Sequence, residues 1–349
     1  MRAATFFDGE GWRDGILSVD DGGRMLLRDE PSTPDLPHLD GVVVGGFTDH
    51  HVHLQLVDAS LLAHSALGRV VDLGGNPDVL RSYAGEARFV SLAGAPSLNE
   101  RNLAPRSLSG RSETKRIDPT FDDRRSVTIE YAGAFLTAPG GYPSDRDWAP
   151  EGSWREIGTV ADAEATIAEM ADAGASCIKV ASNRTAGPVF GDGILRTIVE
   201  LAAERGLPVI AHAEGTGEAQ RVARLGARAL AHAPFTDLLT DEEIVEQAAS
   251  VSWISTLAIH DGDDRDRAID NVRRFHASGG TVRYGTDMGN GPTPVGLNPG
   301  EIAALREAGV DGIDLLRALA PADPLDPASA LLLLPATTLD PLDARPLKA

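Results

Sequence analysis

A short run of aspartate and histidine residues carries the strongest chemical signal in this chain. The run Asp49-His50-His51-Val52-His53 follows an apolar stretch at residues 42–48. Side chains alternate between the two faces of a strand, so Asp49, His51 and His53 are predicted to share one face while His50 points to the other. Neutral imidazole is a common metal ligand in proteins. The spacing therefore predicts a pair of metal-ligating histidines, although nine histidines in one chain also produce close pairs by chance.

Other residues that could bind a metal lie in or just after short apolar segments further along the chain. They are Lys179, His212, His232 and Asp287. If the segments are parallel strands of one sheet, their carboxyl ends meet at one edge. The sequence then predicts that His51, His53 and these four residues converge on one site.

The elements that must position these residues follow an alternating pattern. A helix is predicted at 159–174, with Gly174 as its stop, and Thr240-Asp241-Glu242-Glu243 matches a capping box that opens another helix. Eight strands are predicted between the helices, at 42–47, 69–73, immediately before Pro139, and at 175–180, 207–212, 227–232, 251–257 and 281–286. Eight parallel strands with crossover helices predict an α/β fold, a (β/α)8 TIM-like barrel.

Composition narrows the range of partners. The 349 residues are 42% hydrophobic and carry a formal net charge of -20. This acidity argues against a nucleic-acid or anionic-membrane partner and leaves a small-molecule substrate as the expected one, with a homo-oligomer open. The single cysteine, Cys177, excludes an intrachain disulfide. The chain start lacks a signal-peptide core and no apolar stretch is long enough to span a membrane, so we expect a cytoplasmic protein.

Five motifs in order resemble the metal-dependent amidohydrolase superfamily over about residues 40–320. They are Gly46-Phe47-Thr48-Asp49-His50-His51-Val52-His53, Cys177-Ile178-Lys179-Val180, Ala211-His212-Ala213-Glu214, Leu230-Ala231-His232 and Tyr284-Gly285-Thr286-Asp287. Within the superfamily, Thr137-Ala138-Pro139-Gly140-Gly141-Tyr142-Pro143 is similar to a loop of the branch with imidazolonepropionase-like and prolidase-like proteins.

The resemblance implies a role for each candidate ligand. His51, His53 and Asp287 would bind the more buried of two zinc ions, and His212 and His232 the more exposed one, with other divalent metals possible. Lys179 would become a carbamate that bridges the metals, because burial lowers the pKa of lysine and frees the amine to react with carbon dioxide. Asp287 would also be the catalytic acid and base for a metal-bridging hydroxide. The alternatives are a salt-bridged or snorkelling Lys179 and an Asp287 that caps a helix.

Four residues just beyond strand ends are candidate substrate-binding residues, because substrate loops lie there in barrels. They are Tyr142, Arg184, His260 and Asn290. Arg184 could hold a substrate carboxylate through a bidentate pair, although a surface arginine is the commoner outcome.

The domain organisation has two unusual features. Residues 1–41 predict a small β subdomain, and only residues 335–349 remain to complete it, so this N-terminal β-sandwich is expected to be small or incomplete. The barrel would occupy residues 42–334. Within it, the polar stretch at about 96–134 predicts an insertion in the third strand, which would otherwise run from 90–95 directly into 135–137.

These patterns predict a hydrolase that cleaves a carbon-nitrogen bond, other than a protein peptide bond, in a small amide, cyclic amide or dipeptide. The first alternative is a mononuclear deaminase or imidazolonepropionase-like hydrolase with an unmodified Lys179. The deaminase form is weakened because Gly215 stands where such enzymes usually carry a glutamate. The second alternative is a catalytically impaired barrel that binds metal without turnover, and lyase or isomerase chemistry on the same metal site stays open.

Overall fold

The computed structural model describes residues 1–86 and 127–348 and shows an α/β protein. Its strands are β1 (Arg2–Phe7), β2 (Trp12–Val19), β3 (Met25–Arg28), β4 (His38–Gly45), β5 (Phe47–Val52), β6 (Leu67–Asp72), β7 (Thr128–Tyr131), β8 (Phe135–Thr137), β9 (Trp154–Glu156), β10 (Ile178–Asn183), β11 (Val209–Glu214), β12 (Ala229–Leu230), β13 (Ser252–Ile254), β14 (Thr281–Arg283), β15 (Leu331–Leu334) and β16 (Arg345–Pro346). Its helices are α1 (Pro77–Glu86), α2 (Val160–Ala173), α3 (Asp192–Glu204), α4 (Glu218–Arg224), α5 (Asp241–Ala248), α6 (Gly262–Ala277), α7 (Pro299–Glu307) and α8 (Ile313–Ala318).

Both ends of the described chain form one six-stranded sheet, in the order β16-β15-β4-β1-β2-β3. Strand β4 pairs with β1 in parallel and with β15 antiparallel. This six-stranded sheet has a small apolar cluster of its own, which includes Phe6, Leu17, Val43 and Leu331. The apolar run at 42–47 was expected to be the first barrel strand, but residues 42–45 belong to this sheet and the next strand, β5, starts at Phe47.

Two glycines explain why the chain changes sheet at this point. A Cβ atom on Gly45 would lie 2.0 Å from the carbonyl oxygen of Ala322, and one on Gly46 would lie 2.6 Å from the Cα atom of Gly68. Only glycine permits such close approach of two backbones. Since the apolar run is continuous through both glycines, hydrophobicity alone did not place the boundary.

The parallel strands form two sheets, with orders β5-β6-β7 and β14-β13-β12-β11-β10-β8-β9. Within the described residues these ladders do not close into a ring, so the predicted closed barrel is not confirmed. Isolated hydrogen bonds do join the two sheets. His53 N–H donates to the Met288 carbonyl at 2.7 Å and His50 N–H to the Tyr284 carbonyl at 3.0 Å, while Ser176 N–H, just before β10, donates to the Tyr131 carbonyl of β7 at 2.8 Å.

The third predicted strand is present before Pro139, but its neighbourhood differs from the prediction. Strand β7 pairs with β6 from Arg69↔Thr128 to Asp72↔Tyr131, and the chain passes through the buried Ala132 and Ala134 into β8. Residues 127–134, expected at the end of the insertion, are therefore strand and buried turn. Residues 96–126 of the predicted insertion, and residues 90–95 that were expected to precede it, lie outside the described residues.

The helix signals were placed correctly. Thr159 and Asp162 form a capping box at the start of α2, and Gly174, with φ at 89°, ends it. Thr240 and Glu243 form the predicted capping box of α5. Each box satisfies backbone N–H groups that a helix start otherwise leaves unpaired. In the described parts of the chain, the helices are too short or too polar to cross a membrane.

Candidate metal centre

Five of the six predicted ligands are buried, and all six line one cavity of about 890 Å³. His51 belongs to β5, Lys179 to β10 and His212 to β11, while His232 and Asp287 follow β12 and β14. The predicted convergence of these side chains is therefore present. The geometry within the group decides what it could bind.

Backbone carbonyls fix the orientation of the first two histidines. The Nδ1 atom of His51 lies 2.8 Å from the Ala231 carbonyl, and Nδ1 of His53 lies 3.0 Å from the Gly74 carbonyl. A carbonyl can only accept, so each Nδ1 carries the proton and each Nε2 keeps its lone pair. Both Nε2 atoms point to Asp287. The Oδ1 atom of Asp287 lies 3.2 Å from Nε2 of His51 and 3.0 Å from Nε2 of His53.

Asp287 is held in an uncommon backbone conformation. Its φ is 53°, a left-handed value that costs energy for a residue other than glycine. Its Oδ2 atom accepts a hydrogen bond from Asn290 Nδ2 at 2.7 Å, and no helix follows before α7 in the described chain. The helix-cap alternative for Asp287 is therefore wrong.

The approach of the histidines to Asp287 lacks hydrogen-bond geometry. Among the described residues, neither Nε2 of His51 nor Oδ1 of Asp287 has a hydrogen-bond partner, although both atoms are buried. Buried polar atoms without partners are costly and rare in native proteins. Ligand atoms of His51, His232 and Asp287 all lie within 4.8 Å of one another. Unpartnered lone pairs that converge in this way fit a metal ion, and imidazole nitrogen with carboxylate oxygen is a donor set that suits zinc.

The pKa directions of His51 and Asp287 agree with metal binding, and that of His53 is raised by its acidic neighbours. Burial, followed by the charge of Lys179, lowers the pKa of His51 well below its usual value. Burial alone would lower the pKa of His53, but the carboxylates of Asp287 and Asp72 outweigh it and raise that pKa. Burial would raise the pKa of Asp287, but the surrounding histidines outweigh it and hold that pKa well below its usual value. Metal ligation requires ionised carboxylate and neutral imidazole, which Asp287 and His51 supply.

Lys179 is the most unusual member of the group. Its side chain is 1% exposed, and no carboxylate of the described chain lies within ion-pair distance of its amine. Burial lowers its pKa from 10.5 to about 7. The salt-bridged and snorkelling alternatives therefore have no support in the described residues, since the first needs a partner and the second needs solvent.

The remaining two histidines are oriented by side chains. Nδ1 of His232 lies 2.9 Å from the Thr256 hydroxyl oxygen, and Nε2 of His212 lies 3.2 Å from Oε2 of Glu214. The two imidazole rings are 4.9 Å apart at their centroids. Burial, followed by the charge of His51, lowers the pKa of His232 well below its usual value. His232 therefore presents Nε2, and His212 presents Nδ1, as the nitrogens not used by these hydrogen bonds.

Three residues that support the ligands were not predicted as site residues. Asp72 accepts hydrogen bonds from the N–H groups of Leu54 at 2.7 Å and Gly74 at 2.9 Å, and it thereby fixes the loop whose carbonyl holds His53. Asp49 accepts from the Thr286 hydroxyl at 2.6 Å, next to Asp287. Thr256 orients His232. Asp72 could have been identified from the sequence, because it is a polar residue near the end of the strand predicted at 69–73.

The four predicted substrate-binding residues fall into two groups. Tyr142, His260 and Asn290 line the cavity. The Tyr142 ring lies 5.5 Å from that of His212, and the His260 ring stacks on Phe235 with centroids 4.2 Å apart. Burial lowers the pKa of His260 to about 4, so it is neutral at pH 7.

Arg184 lies just beyond the end of β10, as predicted, but it does not face the cavity. Its Nε and Nη2 atoms both donate to Oε2 of the buried Glu218, at 3.0 and 2.7 Å, and it does not line the cavity. The guanidinium that was expected to hold a substrate carboxylate is thus engaged by a carboxylate of the chain itself. Glu218 is the first residue of α4 and is fully buried.

Comparison with known proteins identifies the fold. No protein-family model matches the sequence, and no curated protein sequence matches it. Solved structures do match over nearly the whole chain. An amidohydrolase is 16% identical with a TM-score of 0.64, covering 98% of this chain and 92% of that chain. A Xaa-Pro dipeptidase with methionine bound in its active site is 17% identical with a TM-score of 0.62, covering 96% and 93%. The ochratoxinase of A. niger is 15% identical with a TM-score of 0.64, covering 98% and 92%.

These likenesses define first a class of fold, an α/β chain with a β domain formed by both ends. More particularly, the chain shares its fold with an amidohydrolase, a Xaa-Pro dipeptidase and an ochratoxinase. Sequence identities below one fifth establish the fold alone, because one fold can host many different activities.

Proposed function

We propose that this chain is a metal-dependent hydrolase that cleaves a carbon-nitrogen bond of a small amide, cyclic amide or dipeptide. One observation carries the proposal: the buried Nε2 of His51 and Oδ1 of Asp287 converge without hydrogen bonds at the floor of a substrate-sized cavity. The similarity in fold to an amidohydrolase and a Xaa-Pro dipeptidase supports it.

Two zinc ions are the proposed cofactors. His51, His53 and Asp287 would hold one ion, and His212 and His232 the other. When bound, such a pair supplies Lewis-acid polarisation of a carbonyl group and a water of lowered pKa. This donor set also accepts other divalent ions, so zinc is proposed on ligand chemistry alone.

Lys179 is proposed to carry a carbamate that bridges the two ions. With a pKa of about 7, much of the amine is neutral near physiological pH and can add to carbon dioxide, with one N–H proton released to solvent. The product is an anion in a place where no carboxylate partner of the described chain exists. It would also supply the negative charge that two divalent cations need beyond Asp287.

Asp287 is proposed to manage the proton during hydrolysis. Its Oδ1 atom lies at the cavity floor, so it can accept a proton from the attacking water as that oxygen bonds to the substrate carbonyl carbon. When the carbon-nitrogen bond breaks, the same proton passes to the leaving nitrogen, and the carboxylate is regenerated. Asn290 holds Oδ2 and keeps Oδ1 directed to the reacting atoms. Tyr142 and His260 on the cavity wall are proposed to position the substrate.

We also propose that the two parallel sheets are parts of one barrel. The hydrogen bonds from β5 to Tyr284 and Met288, and the short turn that joins β7 to β8, support this. They hold β5 and the residues after β14 side by side, which is what brings His51 and His53 to Asp287.

The proposal is tested by metal content and hydrolysis together. Elemental analysis of the purified wild type, of Lys179→Ala and of the control Lys348→Ala should give close to two zinc-like ions, one or fewer, and two, respectively. One ion in all three would favour the mononuclear alternative with an unmodified lysine. No ion in the wild type would favour the catalytically impaired barrel. With two ions bound, absence of hydrolysis across a panel of amides, lactams, dipeptides and esters would contradict the proposed activity.

A further inference from the structure

A second cavity lies at the opposite end of the parallel strands from the metal centre. It has a volume of about 510 Å³. Its wall includes Ser176 and Cys177, which precede β10, and Pro208, which precedes β11. The metal ligands lie further along these strands or beyond their ends. Nothing in the proposed hydrolysis uses this cavity.

Three arginines from three different strand segments face this cavity. Arg69 belongs to β6, Arg228 precedes β12 and Arg283 ends β14. The only carboxylate among the described lining residues is Glu130, which lies 3.4 Å from Arg69. The lining therefore has a formal charge of about +2, in a chain whose net charge is -20.

Arg283 is half-buried and has no carboxylate partner in the described chain. Its Nη1 atom lies 3.3 Å from Nε2 of His50, and its Nε atom donates to the Ser252 hydroxyl at 3.4 Å. Nδ1 of His50 lies 3.1 Å from the Tyr284 carbonyl, so Nε2 is the acceptor. Burial and then the charge of Arg69 lower the pKa of Arg283. A bound anion would relieve this unfavourable placement of like charges.

The floor of the cavity is apolar. Val71, Cys177, Ile210 and Ile254 line it and pack in one cluster with Ala231, whose carbonyl orients His51. This layer separates the second cavity from the metal centre. A ligand here would meet guanidinium groups at one side and aliphatic side chains at the other.

We propose that this cavity binds a small organic anion, with a carboxylate or phosphate head on Arg228 and Arg283 and a short aliphatic body on the apolar floor. Guanidinium groups suit both kinds of oxyanion because their N–H groups match its oxygens in pairs. The cavity volume falls in the range of small-molecule sites. The rim at Arg228 and Ser250 is exposed, which gives the ligand a way in.

The test measures binding of hexanoate, hexyl phosphate and inorganic phosphate by titration calorimetry at constant ionic strength. We expect one saturable site per chain, and affinity for hexanoate or hexyl phosphate should fall at least about tenfold in Arg283→Gln and in Arg228→Gln. Arg196→Gln, an exposed arginine on α3, removes the same charge and should leave binding unchanged. The exposed Arg228 has no side-chain partner in the described residues, so its variant decides the matter if Arg283→Gln fails to fold.

The probes also separate the sources of binding. Tighter binding of hexanoate assigns the head to a carboxylate, and tighter binding of hexyl phosphate assigns it to a phosphate. Inorganic phosphate that binds as tightly as hexyl phosphate would contradict the proposed contact between an aliphatic body and the apolar floor. Metal removal with a chelator should leave binding intact, because the site is separate from the metal centre. Absence of saturable binding, equal loss in Arg196→Gln, or loss of binding on metal removal would each overturn the proposal.

Discussion

Glu301 offers a test of how burial sets charge beside the metal centre. It lies in the first turn of α7 and is fully buried, and its Oε2 atom accepts a hydrogen bond from Ala258 N–H at 2.7 Å. Ala258 follows the turn at Thr256, which orients His232. Burial raises the pKa of Glu301 from 4.5 to about 7. We therefore expect Glu301→Gln, which keeps the shape and removes the titration, to become more favourable relative to wild type as pH rises.

The sign and the size follow from proton linkage. Because the folded-state pKa is raised, the stabilisation from protonation is complete below pH 4.5 and is lost as pH rises through about 7. Between pH 5 and pH 8 the wild type should lose about 2 to 3 kcal/mol of unfolding free energy through this one group. The glutamine variant lacks that loss. Asp72, whose pKa burial also raises, contributes equally to both proteins and cancels in the difference. The charge of Glu301 helps to raise the pKa of Asp49, so its removal in the variant adds to the expected change in the same direction.

Urea denaturation at pH 5 and pH 8, with the same zinc concentration throughout, measures the difference. The variant should gain about 2 to 3 kcal/mol relative to wild type between the two pH values. Glu200→Gln, an exposed glutamate on α3, serves as the matched control and should show no such gain. A difference between Glu301→Gln and wild type that is the same at both pH values would refute the reasoning, because Glu301 would then hold one charge state throughout.

Three further predictions concern the proposed activity. Asp287→Asn should lower kcat by about 100-fold or more, since it removes the proposed proton acceptor, and steady-state kinetics at matched metal content measure it. Thr256→Val removes the hydroxyl partner of His232, so competition with a chelator should show metal affinity reduced by about 10- to 100-fold. Neutral amides should give higher kcat/KM than analogues that bear an additional carboxylate, because the described lining residues include no arginine and no lysine except Lys179, the proposed carbamate, while Glu214 is an anion on that wall. Paired substrates that differ only in the carboxylate check this last point.

Each of these has a contradicting result. Full activity in Asp287→Asn with metal bound would remove its role in proton transfer. Unchanged metal affinity in Thr256→Val would show that His232 does not need its hydroxyl partner or does not bind metal. A preference for the carboxylate-bearing substrate would mean that a cation outside the described lining reaches the site.

Local signals in the sequence predicted local structure well. The capping box at Thr240 and the glycine stop at Gly174 are each read within four residues, and both are present. The start of β5 was misplaced for the opposite reason. Residues 42–47 are uniformly apolar, and the features that divide them, Ala322 beside Gly45 and Gly68 beside Gly46, are distant in the chain. A boundary fixed by tertiary contact leaves no local signal.

The same distinction applies to the candidate site. Side chains that bear metal-ligand atoms can be recognised by type and spacing, and His51, His53 and Asp287 do converge. Arg184 could not be assigned in this way, because its role depends on Glu218, 34 residues later, which engages it away from the cavity. A guanidinium is equally suited to a substrate carboxylate and to a glutamate of the chain, so residue type alone does not distinguish the two.

The groups that orient the ligands were the hardest to predict, and they decide the chemistry. His51 and His53 are fixed by the carbonyl groups of Ala231 and Gly74, and a backbone carbonyl is present at every residue whatever its side chain. Without these two acceptors each imidazole could carry its proton on Nε2, and the lone pairs would no longer converge on Asp287. The fold, by placing two particular carbonyls, thus determines the tautomers that make a pair of histidines a candidate metal site rather than two buried rings.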